Sequence, residues 1–243
     1  MENKNNGKGI GVFYGVIGVA TLVVAMVGAT FAYFAASTNS ATNAISTNSS
    51  TVSALGFTQN IDGIKSNLIP VDETLSRFKS VVGLTANSCK DDLQNNICST
   101  YQFTVTNPNA QAQNIYVYFK PQQNTFNNLH YAVFKGTPTS YDVTADAVTD
   151  LGAAADGALV VEDTKMDLND VSQVEWTNLR QTLAATTGSA TYTIVVWLHD
   201  IGTDQTTLDA GKAFAAGVTI STGEIVDGEV TSGVTGILST TGV

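Results

Sequence analysis

The side chains that could do chemistry are few in this chain of 243 residues. Two are histidines, His130 and His199. Neither stands in an H-E-x-x-H pair, the spacing at which one helical turn presents two imidazoles to zinc with a general base beside them. An isolated histidine at a strand end is usually structural. We therefore expect no metal site and no peptidase activity.

Other catalytic patterns are missing from the sequence as well. It contains no G-x-S-x-G turn for a nucleophilic serine, and its glycines fall in turns rather than in a phosphate loop after a strand. Acidic loops around Asp91 and Asp92, and between Glu162 and Asp170, have the oxygen-rich composition that calcium favours but not the spacing of an EF-hand. A solvated loop is the preferred interpretation, with calcium as the alternative. The sequence predicts a non-enzymatic protein with no catalytic residues and no cofactor.

The two cysteines, Cys89 and Cys98, flank the polar loop "CKDDLQNNIC" just before a strand-like segment. A zinc site needs about four ligands, and the chain offers no further cysteine or paired histidine to supply them. We expect a disulfide that closes the loop. Two free thiols are the alternative, which an intracellular location would favour, whereas export favours the bridge.

The N-terminal region holds an uncharged apolar run over residues 10–36, preceded by a short basic polar segment over residues 1–9. The run exceeds the roughly 20 residues that cross a bilayer. A basic segment before an apolar one is also the pattern of an export signal. Residues 37–53 are rich in Ser, Thr and Asn and predict a flexible lead or an unpaired strand. The pattern leaves open whether the apolar helix is cleaved or retained.

Segments with a two-residue hydrophobic period follow from residue 54 onward. In "STYQFTVTNPN", Tyr101, Phe103 and Val105 alternate with polar residues, which predicts a half-buried strand. We expect it to pair in antiparallel fashion with "QNIYVYFK", through a connection over residues 107–114. "TIVVWL" is apolar on both faces, which indicates a central strand covered on each side. A short helix after Asp72, with Asp72 as its N-cap, is a further expectation.

About seven or eight such strands with turn residues between them predict an all-β protein. We expect an Ig-like or jelly-roll-type antiparallel β-sandwich over residues 54–222, preceded by one N-terminal hydrophobic helix. Residues 223–243 form a C-terminal extension, as one more strand or a loose tail. The net charge is −10, and most acidic residues follow Tyr141. Such a surface repels phosphate backbones, so nucleic acid is not an expected partner.

The segment "VGATFAYF" with its Ser/Thr/Asn-rich continuation resembles the export signals of the TasA and camelysin family of Gram-positive bacteria. Signals of that family end in a Thr-aromatic-Ala element and are cut by a dedicated signal peptidase, SipW. The resemblance implies cleavage after Ala32, at the residues Thr30, Phe31, Ala32 and Tyr33.

The resemblance extends into the domain. Its matching pieces are an "FTVTN" strand at 103–107, a "YT…WL" strand at 192–198, and a final strand introduced by Gly211 and Phe214 and continuing through Val218. The match covers most of residues 30–221. It implies a secreted or cell-surface structural protein that forms biofilm-matrix fibres by strand donation between subunits. The expected donor positions in the lead are Ala41, Ala44, Ile45 and Val52. The alternative is a membrane-anchored surface sandwich, pilin-like or adhesive, that retains its N-terminal helix.

Overall fold

The computed structural model describes residues 55–152, 154–166, 173–203, 211–223 and 233–241, the last range by its backbone. These ranges contain eleven strands, one α-helix and one 3₁₀ turn. The elements are β1 (Gly56–Asn60), β2 (Pro70–Val71), α1 (Ser76–Val81), β3 (Cys98–Thr106), β4 (Gln113–Asn124), β5 (Leu129–Lys135), β6 (Leu159–Lys165), β7 (Val174–Glu175), the 3₁₀ turn (Thr177–Leu179), β8 (Gln181–Leu183), β9 (Ser189–His199), β10 (Ala213–Ser221) and β11 (Gly233–Thr241). The prediction of an all-β protein is confirmed.

The first sheet has the strand order β1-β3-β9-β5-β6, and β2 adds to β9 as the one parallel neighbour among the described strands. Strand β9 lies between β3 and β5 and pairs with both along most of its length. Ile194 and Val196 are buried on one face of β9, while Val195 and Trp197 are buried on the other. The prediction of a central strand covered on both sides is therefore confirmed.

The second sheet has the order β11-β10-β4-β7, and β8 also pairs with β4. The predicted pairing of β3 with β4 is wrong, because the two strands lie in different sheets. The connection between them crosses from one sheet to the other and is held by the buried Asn107. Its side-chain amide donates to the backbone carbonyls of Gln111, Leu183 and Ala184. Alternation along a strand specifies which face is buried but not which strand is the neighbour.

The main hydrophobic core lies between the two sheets, which makes the domain a β-sandwich. It takes alternate side chains from β3 and β9 of the first sheet and from β4 and β10 of the second. The side chains predicted to alternate on β3, Tyr101, Phe103 and Val105, belong to this core. The side chains that alternate in the same way on β4, β5 and β10 belong to it as well: Ile115, Val117, Phe119, Leu129, Tyr131, Val133, Phe214, Ala216, Val218 and Ile220. Period-two patterning was thus sufficient to assign the inner faces.

A second hydrophobic cluster covers the outer face of the first sheet. Phe78 of α1 packs its ring against Trp197 of β9, with 5.6 Å between centroids. The predicted helix is confirmed at Ser76–Val81, but its N-cap is Leu75 and not Asp72. The Asp72 carboxylate instead accepts hydrogen bonds from the amide and hydroxyl of Thr74, which forms a turn before the helix. Because the Asp72 carboxylate is hydrogen-bonded in this local turn, it does not cap the helix.

The C-terminal segment contains the strand β11, which pairs with β10 over residues 233–241. Of the two alternatives for the extension, the additional strand is the one found there. Residues 1–54 lie outside the described residues, and with them the apolar run, the expected cleavage residues and the donor positions. Within the described ranges, no helix has the length and apolar character needed to span a bilayer.

Candidate functional site

The two histidines of the chain lie side by side at one end of the first sheet. In the pairing of β5 with β9, His130 stands opposite Trp197, and His199 follows two residues later on the same face. The two imidazoles therefore form a diagonal pair on the outer face. Their ring centroids are 4.7 Å apart and their planes differ by 20°.

A buried carboxylate approaches this pair from the segment before α1. Strand β2 pairs with β9 so that Val71 stands beside His199, and the chain then places Glu73 next to the imidazole. Both carboxylate oxygens of Glu73 lie 2.9 Å from Nδ1 of His199. Glu73 is only 5% exposed, so its charge has little access to water.

A second carboxylate orients the other histidine. Asp163 of β6 accepts a hydrogen bond from Nδ1 of His130 at 2.7 Å. Lys165 stands opposite His130 in the pairing of β5 with β6 and is exposed. Nearby, hydrogen bonds from the hydroxyl and amide of Thr74 lower the pKa of the Asp72 carboxyl, and the charge of His199 contributes less.

The histidine–carboxylate cluster, as we name Glu73, His130, Asp163 and His199, has the donor atoms of a metal centre. One ligand atom each from Glu73, His130 and His199 can be chosen so that all three lie within 4.8 Å of one another. Two imidazoles and one carboxylate suit first-row transition metals. Without a metal, the same groups form two hydrogen-bonded His–carboxylate pairs.

Neither histidine has a second ligand one helical turn away, so the sequence predicts that each is isolated. Here the two ligands come from strands 69 positions apart in the chain. The only local indication was that both histidines end or begin apolar strand segments. Bringing them together depends on the β5–β9 register, which the sequence pattern does not specify.

The cysteines form the expected bridge. Cys89 and Cys98 are joined in a disulfide with a Cα–Cα distance of 4.9 Å, and both are fully buried. The two carboxylates of the acidic loop between them are both bonded to protein groups. Asp91 accepts hydrogen bonds from the backbone amides of Leu93 and Asn95, and Asp92 pairs with Arg77 on α1.

The sheet edges differ in how well they are protected against further strand addition. Strand β6 has Glu162, Asp163 and Lys165 and an irregular register with β5, while β7 and β8 are two and three residues long. By contrast, β1 (GFTQN) and β11 (GVTGILSTT) have no charged residue. Charges, irregularities and short length are devices that block edge pairing, and among the described edge strands β1 and β11 show the fewest of them.

Comparison with known proteins gives no family to which the chain can be assigned. No protein-family model matches the sequence, and no curated protein matches it either. The function is therefore inferred from the sandwich, its edges and the histidine–carboxylate cluster.

Proposed function

We propose that the protein is an exported structural component of the bacterial cell surface or extracellular matrix, whose sandwich domains join into fibres by strand donation. The observation that carries this proposal is the pair of uncharged edge strands, β1 and β11. Among the described residues, β1 pairs only with β3, and β11 pairs only with β10.

The edge of β11 is the better acceptor for a donated strand. It is nine residues long and pairs with β10 without a register shift. An edge strand presents a row of unpaired N–H and C=O groups, and an added strand satisfies them with main-chain hydrogen bonds. Strand β1 has five residues and offers about half as many such groups.

The donor in this proposal is the lead over residues 37–53, with Ala41, Ala44, Ile45 and Val52 as its apolar positions. The lead contains no charged residue, whereas the whole chain has a net charge of −10. An uncharged donor avoids the like-charge repulsion that an acidic segment would meet at an acidic neighbour. The lead also precedes β1 directly, so each subunit would offer a donor at one place and an acceptor edge at another.

The disulfide supports export, because such bridges form and persist in oxidising compartments. Export would use the apolar run over residues 10–36 and a signal peptidase that cuts after Ala32. Membership in the TasA and camelysin family, and the finer assignment of the sandwich to an Ig-like or jelly-roll type, belong to this proposal. We include neither an enzymatic activity nor a nucleic-acid partner in it.

The test removes the donor. A chain that lacks residues 41–53 should fold and melt like the full chain but form no fibres in electron micrographs. For the acceptor, Thr235→Lys in β11 should reduce fibre formation, because a lysine on an edge strand opposes pairing. The matched control is Thr164→Lys in the protected strand β6, which should leave fibres unchanged. Normal fibres after the deletion would refute strand donation.

The alternative is a sandwich that stays anchored by its N-terminal helix. The run over residues 10–36 favours this alternative, since it is long enough to cross a bilayer. The mass of the protein recovered from culture distinguishes the two. A mature chain that starts at Tyr33 supports release, and an intact N-terminus in the membrane fraction supports the anchor.

A further inference from the structure

We propose that Glu73, His130 and His199 bind one divalent first-row transition metal ion, for which Zn²⁺ is the probe. This site lies on the outer face of the first sheet. It is independent of the sheet edges and of the proposed strand donation.

The first argument is the donor geometry. Ligand atoms that share one tetrahedral zinc ion at about 2.0–2.1 Å lie about 3.3 Å from one another. The chosen atoms of Glu73, His130 and His199 already lie within 4.8 Å of one another. To close the site, these atoms would have to come about 1.5 Å nearer to one another, and the stacked imidazoles would have to turn so that their ligand nitrogens point at one ion.

The second argument is the incomplete hydrogen bonding of Glu73. An ionised carboxylate can accept about four hydrogen bonds. Among the residues that the structure describes, both oxygens of Glu73 rely on the same donor, Nδ1 of His199. A side chain that is only 7% exposed cannot obtain many further bonds from water. A cation beside these oxygens would compensate the buried negative charge.

The third argument is the orientation of His130. Histidines that bind metals usually donate their second ring N–H to a carboxylate, which fixes the tautomer and the direction of the ligand nitrogen. Asp163 holds Nδ1 of His130 in this way at 2.7 Å, which leaves Nε2 available as the ligand. Asp163 is thus a positioning residue.

Access and charge are compatible with ion binding. The side chain of His199 is 36% exposed, which gives an ion a path from solvent. The exposed Lys165 is the positive charge opposite His130, and the carboxylates of Glu73 and Asp163 outnumber it. A bound ion would link the segment before α1 to β5 and β9, across a sequence separation of up to 126 positions, that of Glu73 and His199.

The composition of the chain makes the experiment specific. It contains two histidines, and its two cysteines are bonded to each other. A metal held by imidazole must therefore sit at this cluster, provided that the protein has no histidine tag. Chelator-treated protein should bind one Zn²⁺ per chain by calorimetry, and X-ray absorption should count two imidazole ligands. Zinc far above its dissociation constant should raise the Tm by roughly 5 °C.

Substitutions identify the ligands. Glu73→Gln and His130→Gln should each weaken zinc binding by more than about tenfold, and Asp163→Asn by about tenfold, as is typical when an outer carboxylate is lost. Glu162→Gln, on the same strand as Asp163, should bind like the wild type. The melting curve of each zinc-free variant reports whether it folds. If Glu73→Gln does not fold, the zinc affinity of His130→Gln by itself tests the proposal.

Two results would overturn the proposal. One is the absence of saturable zinc binding up to about 1 mM, where the binding free energy is already small. The other is zinc binding that the His130→Gln variant leaves unchanged, which would place the ion elsewhere.

Discussion

Loss of the Cys89–Cys98 bridge should destabilise the domain without unfolding it. The two cysteines are nine positions apart, so the bridge closes a loop of about ten residues. On the chain-entropy relation, a loop of this length restricts the unfolded chain by about 2.7 kcal/mol. For a domain of this size, that free energy corresponds to a fall in Tm of roughly 5–10 °C.

The native loop should survive reduction, because backbone hydrogen bonds hold it independently of the sulfur atoms. The amide of Cys89 donates to the carbonyl of Val81 at 2.7 Å, and the amide of Ile97 donates to the carbonyl of Cys89 at 2.9 Å. Reduction therefore lowers the free energy of unfolding mainly by giving the unfolded chain more conformational freedom. The reduced domain should keep its native circular dichroism spectrum.

The assay compares the oxidised protein with protein unfolded and refolded in a reducing agent. Mass spectrometry should show two added hydrogens, and thermal melting then gives the difference in Tm. The Cys89→Ala/Cys98→Ala variant should melt lower still, because both cysteines are fully buried in the cluster that contains Phe78 and Trp197, and removal of their sulfur atoms leaves a cavity. A reduced protein that melts within about 1 °C of the oxidised one would refute this reasoning.

Three further predictions follow from buried groups. Phe78→Ala should lower the free energy of unfolding, measured in urea, by about 3–5 kcal/mol, because Phe78 is 1% exposed and holds α1 on the sheet. A decrease below about 1 kcal/mol would contradict that packing. Lys65→Met should lower the free energy of unfolding by about 1–3 kcal/mol, since Nζ of Lys65 donates to three backbone carbonyls and methionine removes all three bonds; unchanged stability would be the opposing result. Burial raises the pKa of Tyr141 to about 12. Because this value is above the unfolded value of about 10, the neutral phenol stabilises the fold fully below pH 10, and that contribution is lost as the pH rises through about 12. Urea unfolding at pH 9 and pH 11 should show this decline, and Tyr141→Phe should reduce it; an equal decline in both proteins would contradict the assignment.

The strands and their inner faces could be predicted from the sequence, whereas the neighbours of each strand could not. Tyr101, Phe103 and Val105 alternate because one face of β3 is in the core, and that requirement acts within a single strand. The crossover at Asn107 depends on carbonyls contributed by a distant part of the chain. A short turn sequence looks the same whether the chain returns to the same sheet or changes to the other. For this reason the hairpin prediction failed there.

The candidate site was unpredictable for a related reason. The disulfide needs only two cysteines close in sequence, and local spacing was enough to propose it. The pair of His130 and His199 requires a particular β5–β9 register, and the approach of Glu73 requires the parallel contact of β2 with β9. A shift of one residue in the pairing of β5 with β9 would place the two imidazoles on opposite faces of the sheet.

The covering of the outer face of the first sheet bears on the proposal that subunits assemble through sheet edges. Residues between β1 and β3 are held across this face by the disulfide at the start of β3 and by the contact of Glu73 with His199 at the end of β9. Between these two points, Phe78 packs against Trp197. This part of the sheet face is therefore already covered by the chain itself, and the covering segment exposes Leu75 and Leu93 to solvent. In the proposed strand donation, a neighbour would instead bond to backbone groups along β1 or β11, each of which pairs with one strand among the described residues.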